Sequence, residues 1–236
     1  MKRFIAVIIC LPLLYACSSR IWGDDTMSEQ SYQINTEIEA IEIKSAMTLN
    51  LVDSLEIGDM IISANSNILQ YINVTRRENT VAIELEENNY KGIEITIYAP
   101  VDQYQYVTAS GASTINKMVG SNSSKNYSIT LSGASIFSGN VTITRELTCT
   151  LSGASTAYLQ GETSNCDVTC AGASNIYGKE FACTDLNISL SGASYVQMEV
   201  NGDIIGELKG ASTLEYSGNA KSEDIDLSGA SSIIKE

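Results

Sequence analysis

Cys149-Thr150-Leu151-Ser152-Gly153-Ala154-Ser155-Thr156-Ala157-Tyr158 decides the fold, because close relatives of this stretch recur down the second half of the chain. The tripeptide Gly-Ala-Ser occurs seven times, with its glycines at Gly111, Gly133, Gly153, Gly172, Gly192, Gly210 and Gly229. Neighbouring glycines lie 22, 20, 19, 20, 18 and 19 residues apart. A tandem period near twenty residues predicts a solenoid in which each turn of chain stacks on the one before.

Counting from the glycine as zero exposes a second regularity. Position −2 holds Ala109, Leu131, Leu151, Cys170, Leu190, Leu208 and Leu227, and position −4 is Val, Ile or Cys in all but Gly206. Between them, position −3 is polar: Thr108, Thr130, Thr150, Thr169, Ser189, Glu207 and Asp226. Apolar and polar residues alternate with period two, as a strand with one buried face requires. A helix would repeat every 3.6 residues. The alternation resumes at +4 (Ile115, Phe137, Ala157, Ile176, Val196, Leu214, Ile233), and further glycines follow at Gly139, Gly161, Gly178, Gly202 and Gly218. Each repeat therefore reads as strand, Gly-Ala-Ser corner, strand, glycine turn and return. The expected fold is all-β, a right-handed single-stranded parallel β-helix with rungs of about 20 residues.

The corner glycine needs either a positive φ or a spot too close to the next rung for a Cβ. The serine at +2 shares the parity of the inward positions. These hydroxyls can then point into the rod and bond one another along it, or the corner can break the parity and leave them exposed. Seven equivalent serines without a base argue for structure and against a nucleophile.

The N-terminus reads as an export signal. Lys2 and Arg3 precede an apolar run of eleven residues from Phe4 to Leu14, too short to span a bilayer. Leu14-Tyr15-Ala16-Cys17 resembles a bacterial lipobox, which implies cleavage before Cys17, lipid on its thiol, and anchorage in the cell envelope, at the outer membrane. The plan that follows is a signal peptide over 1–16, a lipidated tether over 17–33 with Trp22 placed to meet the membrane interface, an N-terminal β portion over 34–107 packing with the solenoid, and seven rungs over 108–236. The chain reaches Glu236 seven residues after Gly229, so the last rung is expected to lie uncovered and to invite pairing with a second copy.

Composition excludes several chemistries. Net charge is −14, and −16 without the leader's Lys2 and Arg3, which disfavours nucleic acid as a partner. The chain has no histidine, so Ser-His and Cys-His pairs and most catalytic zinc sites are excluded. Beyond the leader, four cysteines remain: Cys149, Cys166, Cys170 and Cys183. Four thiols in an exported chain allow three disulfide pairings. Cys149 and Cys170 fill inward repeat positions, however, and read as small core hydrophobes. Glu84 with Glu86 and Asp224 with Asp226 read as solvated charge, and Asp53, Glu56 and Asp59 as a weak calcium grouping; no metal and no cofactor are expected. Tyr158 and Tyr177 share position +5 on consecutive rungs, and Tyr195 stands at +3 on the next with the same outward parity. Together they suggest a flat stacking surface for sugar rings or a protein.

The first half lacks the tripeptide but alternates like strands, as in Val81-Ala82-Ile83-Glu84-Leu85-Glu86 and Ile93-Glu94-Ile95-Thr96-Ile97-Tyr98, with one helical turn near 67–72. Ile41-Glu42-Ile43-Lys44-Ser45-Ala46, Asn67-Ile68-Leu69-Gln70-Tyr71-Ile72 and Ile95-Thr96-Ile97-Tyr98-Ala99-Pro100, ahead of Ser110-Gly111-Ala112-Ser113, resemble the head GIN domain family of auto-transporter adhesins. The resemblance covers about 34–236. It implies a β-helical fold on secreted or envelope-anchored bacterial proteins, many of them lipoproteins, and no established catalytic residues. Ser45, Ala171 and Lys209 depart from the family pattern. A non-catalytic binding or scaffold module is the leading expectation, with a glycan-cleaving β-helix enzyme as its rival.

Overall fold

The computed structural model describes residues 20–118 and 125–236. The described chain is a β-solenoid, with one 3-10 turn at Leu69–Tyr71 where the helical turn is expected. Two parallel ladders build it. One runs through the strands before each corner: Tyr106–Ala109, Tyr127–Leu131, the second halves of Ile136–Leu151, Thr156–Cys170 and Asn175–Leu190, then Asp203–Leu208 and Ser222–Leu227. The other runs through the strands after it: Thr114–Lys117, the first halves of the same three long strands, Tyr195–Val200, Thr213–Ser217 and Ser232–Lys235. Leu131 stacks on Leu151, then Cys170, Leu190 and Leu208, and the column is buried throughout. Each such leucine contributes about 1.5–3 kcal/mol by leaving water.

The second bend differs from its expectation. In the middle rungs it does not interrupt the strand; pairing runs through it, with register shifts at Ile143/Glu146, Tyr158/Gln160 and Gly178/Ala182. A bulge bends a strand without ending it.

At the Gly-Ala-Ser corners both reasons for glycine apply at once. Gly172 has φ +81°, and a Cβ built on it would lie 2.6 Å from the Gly153 carbonyl oxygen. That oxygen is held there because it accepts the Ala173 N–H at 2.8 Å, and the same bond repeats from corner to corner. The first six serines point inward and are buried, with Ser231 on the last rung half-buried, but they do not bond one another along the rod. Each hydroxyl closes its own corner: Ser174 Oγ donates to Ala171 O at 2.7 Å, and Ser113, Ser135, Ser155, Ser194 and Ser212 repeat this at 2.7–2.9 Å. Inside the coil the nearest unfilled acceptor is local, so the satisfied bond is local. This also explains Ala171 and Lys209, since position −1 contributes its carbonyl and not its side chain.

The N-terminal region interleaves with the solenoid. The strands Ala40–Ile43 and Thr48–Val52 form a rung between the one made by Thr80–Leu85 and Ile95–Pro100 and the first Gly-Ala-Ser rung. Antiparallel strands then close that end: Asp59–Asn65 on Ile95–Pro100, Met27–Gln33 on Asp59–Asn65, and Ile72–Arg77 on Thr80–Leu85. The tether expected over 17–33 is therefore corrected from residue 21 onward. Ile21–Trp22 pairs in parallel with Tyr90–Lys91, and Met27–Gln33 is a full strand. Cys17, the expected lipid site, lies outside the described residues.

At the other end the last rung has a neighbour on one side only. Leu227 is 51% exposed where Leu208, one rung inward, is fully covered. The four cysteines are buried free thiols. Burial raises all four, with Cys170 and Cys183 pushed up to about 12.

Candidate functional site

The outward positions of the ladder after the corner carry the tyrosines. Parallel pairing places Tyr158 directly beside Tyr177, and Tyr177 beside Gln197. Tyr195 stands beside Asn175, one outward position away, and leans across. The three rings do meet. Tyr158 and Tyr177 have centroids 5.4 Å apart at 17°, and Tyr177 and Tyr195 are 5.6 Å apart at 45°.

The geometry corrects the flat platform. Two phenol rings 5.4 Å apart are too close to lie side by side in one plane, so they overlap face on face. The tyrosines form a ladder parallel to the strand spacing of about 4.8 Å. Tyr177 therefore covers one face of Tyr158. The other face looks toward Ser138 and Gly139, which stand where the next rungs carry Tyr158-Leu159 and Tyr177-Gly178. A groove of about 270 Å³ opens along this flank, lined by Met118, Ser138, Gly139, Tyr158, Gln160 and Lys179 among others. The missing ring was readable by aligning position +5 of the repeats, where Ser138 precedes two tyrosines; the roles of Gln160 and Lys179 leave no such mark.

Polar side chains fix the ladder's far end. Tyr195 donates to Glu215 Oε2 at 2.9 Å, and Gln197 Nε2 donates to the other oxygen at 2.8 Å. Burial and the Glu215 carboxylate push Tyr195 up to about 12, while its hydroxyl lowers Glu215. Gln160 is held by Glu180 at 2.9 Å. Tyr195 is therefore anchored by its hydroxyl, whereas Tyr158 and Tyr177 are about half exposed.

The other flank is acidic. Glu146, Asp167, Asp185 and Asp203 line a groove of about 370 Å³. The Asp203 N–H donates to Asp185 Oδ1 at 2.9 Å, and Ser222 Oγ donates to Asp203 at 2.8 Å, so those carboxylates are engaged in the ladder. Among the described residues no cluster of three or more cysteines and carboxylates is arranged to hold a metal. Asp53, Glu56 and Asp59 form no such group, and Asp59 accepts a bond from the Gln33 amide. Glu84 lies on a strand paired with Ile72–Arg77, and Asp224 and Asp226 are exposed on the last rung. Inside the coil, Lys117 is buried and donates to Asn140 O at 2.9 Å. Burial lowers its pKa.

Known structures share this architecture. A crystal structure of a "putative adhesin" from Bacteroides fragilis superposes with a TM-score of 0.77 at 18% identity, covering 92% of this chain and all of that one. A "putative adhesin" from Parabacteroides merdae gives 0.69 at 14%, over 92% of this chain and 99% of its own. A "putative lipid binding protein" from Parabacteroides distasonis gives 0.69 at 13%, with the same coverage. No curated protein matches the chain. The model of the family described as "Putative auto-transporter adhesin, head GIN domain" matches residues 37–220, from the interleaved first rung to the sixth Gly-Ala-Ser corner, and the chain belongs to that family.

Proposed function

We propose that the protein is a non-catalytic binding module of the bacterial envelope, exported, lipid-anchored at Cys17 to the outer membrane, and presenting its tyrosine ladder to a glycan. The family membership and the adhesin descriptions of its structural relatives support an adhesive role. The observation that carries the ligand class is the face of Tyr158 turned toward Ser138 and Gly139, where the neighbouring rung carries no ring among the described residues. A pyranose ring stacks on one aromatic face at roughly the spacing of one rung, with amide and charged groups of Gln160 and Lys179 at hand for its hydroxyls. Among the described residues no three cysteines and carboxylates are grouped to hold a metal, and the stacked tyrosines are what favours binding over the rival glycan-cleaving reading.

A glycan array with wild type and Tyr158→Ala tests this. Loss of the leading signals, by about tenfold in affinity, is the expected outcome. Equal binding by both proteins would remove the ladder from the recognition surface. Capture of a protein partner that survives Tyr158→Ala would replace the glycan reading.

A further inference from the structure

We infer that the corner around Trp22 rests in the headgroup layer of a zwitterionic bilayer, so that the solenoid stands with its capped end on the membrane and its open end away. The inference rests on the reading that Cys17 carries lipid. It begins from the corrected tether. Five residues lead from Cys17 to Trp22, and fully extended they span at most about 18 Å. From Trp22 onward the chain is fastened to the fold. The Ile21 N–H donates to Asn89 O at 2.8 Å, and the Gly23 N–H to Lys91 O at 3.0 Å. The Asn67 amide donates to Trp22 O at 2.7 Å, and the Asn65 amide to Asp24 O at 2.6 Å. A lipid at Cys17 therefore keeps this corner within about 18 Å of the bilayer.

The corner has the chemistry of an interface. Trp22 is 57% exposed although its backbone is pinned, so the indole is held outward. Lys91 lies 5.0 Å over its ring, and Tyr90 packs edge-on against Tyr71 at 5.9 Å. Tryptophan and tyrosine concentrate at headgroup level because their rings are apolar with one polar edge. Lys91 and Arg20, two residues before Trp22, are exposed cations of this corner, and such side chains reach phosphate while their stems stay among apolar groups. Asp25, Glu87 and Glu94 are exposed nearby, and Asp24 is engaged by Ser66. This alternation of signs, on a chain of net charge −14, fits a phosphatidylethanolamine surface better than a strongly anionic one.

Trp22 is the chain's single tryptophan, so its fluorescence reports on this corner alone. The test reconstitutes the full chain, purified from membranes after native processing, into phosphatidylethanolamine–phosphatidylcholine vesicles with and without brominated acyl chains. Brominated lipid is expected to cut Trp22 emission by about half or more, and iodide to lose access to it. Amide exchange is expected to slow at 21–23 and 90–91 and stay unchanged at 232–235. A vesicle-bound protein whose Trp22 stays open to iodide and unquenched by bromine overturns the inference. If mass spectrometry finds Cys17 unmodified, the anchoring reading falls, and a second arm still decides the docking. There the chain from Cys17 onward, which keeps every described residue, is coupled to a maleimide lipid. The other four thiols are buried, so coupling selects Cys17. The same quenching in that arm upholds the docking, and its absence overturns it.

Discussion

At Gly172 and at Ser45 the backbone turns with nearly the same φ, +81° and +74°, yet one position has no side chain and the other carries a hydroxymethyl group. The difference lies in what is stacked beneath. Under Gly172 the Gly153 carbonyl would sit 2.6 Å from any Cβ. Ser45 belongs to the interleaved rung, and the rung on its outer side swings away through residues 86–94 instead of repeating the tripeptide. Ser45 and Ala46 are exposed accordingly. A left-handed turn alone costs a serine about 1 kcal/mol, which a fold tolerates; a backbone oxygen inside van der Waals contact is what makes glycine obligatory. Gly111 stands between the two cases, because a Cβ there would lie 3.1 Å from its nearest neighbour, Ser45 N.

The largest expected effect contrasts interior with end. Leu190→Ala, in a fully buried column, is expected to lower stability by about 3 kcal/mol. Leu227→Ala, at the same repeat position on the open rung, should cost under about 1 kcal/mol. Urea unfolding of both variants measures the difference, and equal losses would mean that the last rung is covered in solution.

The corner comparison comes next. Gly172→Ala is expected to cost about 2–4 kcal/mol, Gly111→Ala less, and Ser45→Gly to fall within about 1 kcal/mol of wild type. Thermal melts of the three would break the account if Gly172→Ala and Gly111→Ala were indistinguishable. Smaller still is the serine contribution. Ser174→Ala removes a buried bond worth about 1 kcal/mol, whereas Ser231→Ala, on the partly exposed final corner, should change stability by less than about 0.5 kcal/mol.

A pH series sharpens the picture of the core. Cys170 and Cys183 keep their protons in the fold up to about 12, while the unfolded chain releases them near 9. A raised acid leaves stability intact below the unfolded value and removes it as pH climbs toward the folded one. Stability is therefore expected to hold from neutrality to about pH 9 and to decline between about pH 9 and 12. Denaturant midpoints across that window check the sign, and Cys170→Val should shallow the decline.

Much of this architecture was readable because a twenty-residue period and a two-residue alternation map directly onto stacked rungs. The tyrosines could be brought together by counting positions from the glycine. Their overlap could not, because it depends on how side chains lean across strands. The N-terminal half hid its order for another reason. The rung of Ala40–Val52 pairs with partners forty residues and more away in the sequence on both sides, and no local signal encodes such a crossing. The strand Met27–Gln33 hid because it is the outer strand of the cap, exposed on most of its length, so it carries no apolar alternation. Polar Ser28, Glu29, Gln30 and Ser31 look the same in a tether and in an edge strand.

Amide exchange at the corner alanines tests the central claim most directly. Ala134, Ala154, Ala173, Ala193 and Ala211 each donate to the glycine carbonyl one rung back at 2.7–2.8 Å. Their amides are predicted to exchange as slowly as those of the neighbouring strands. Exchange at the rate of open turns would contradict a continuous column of stacked corners.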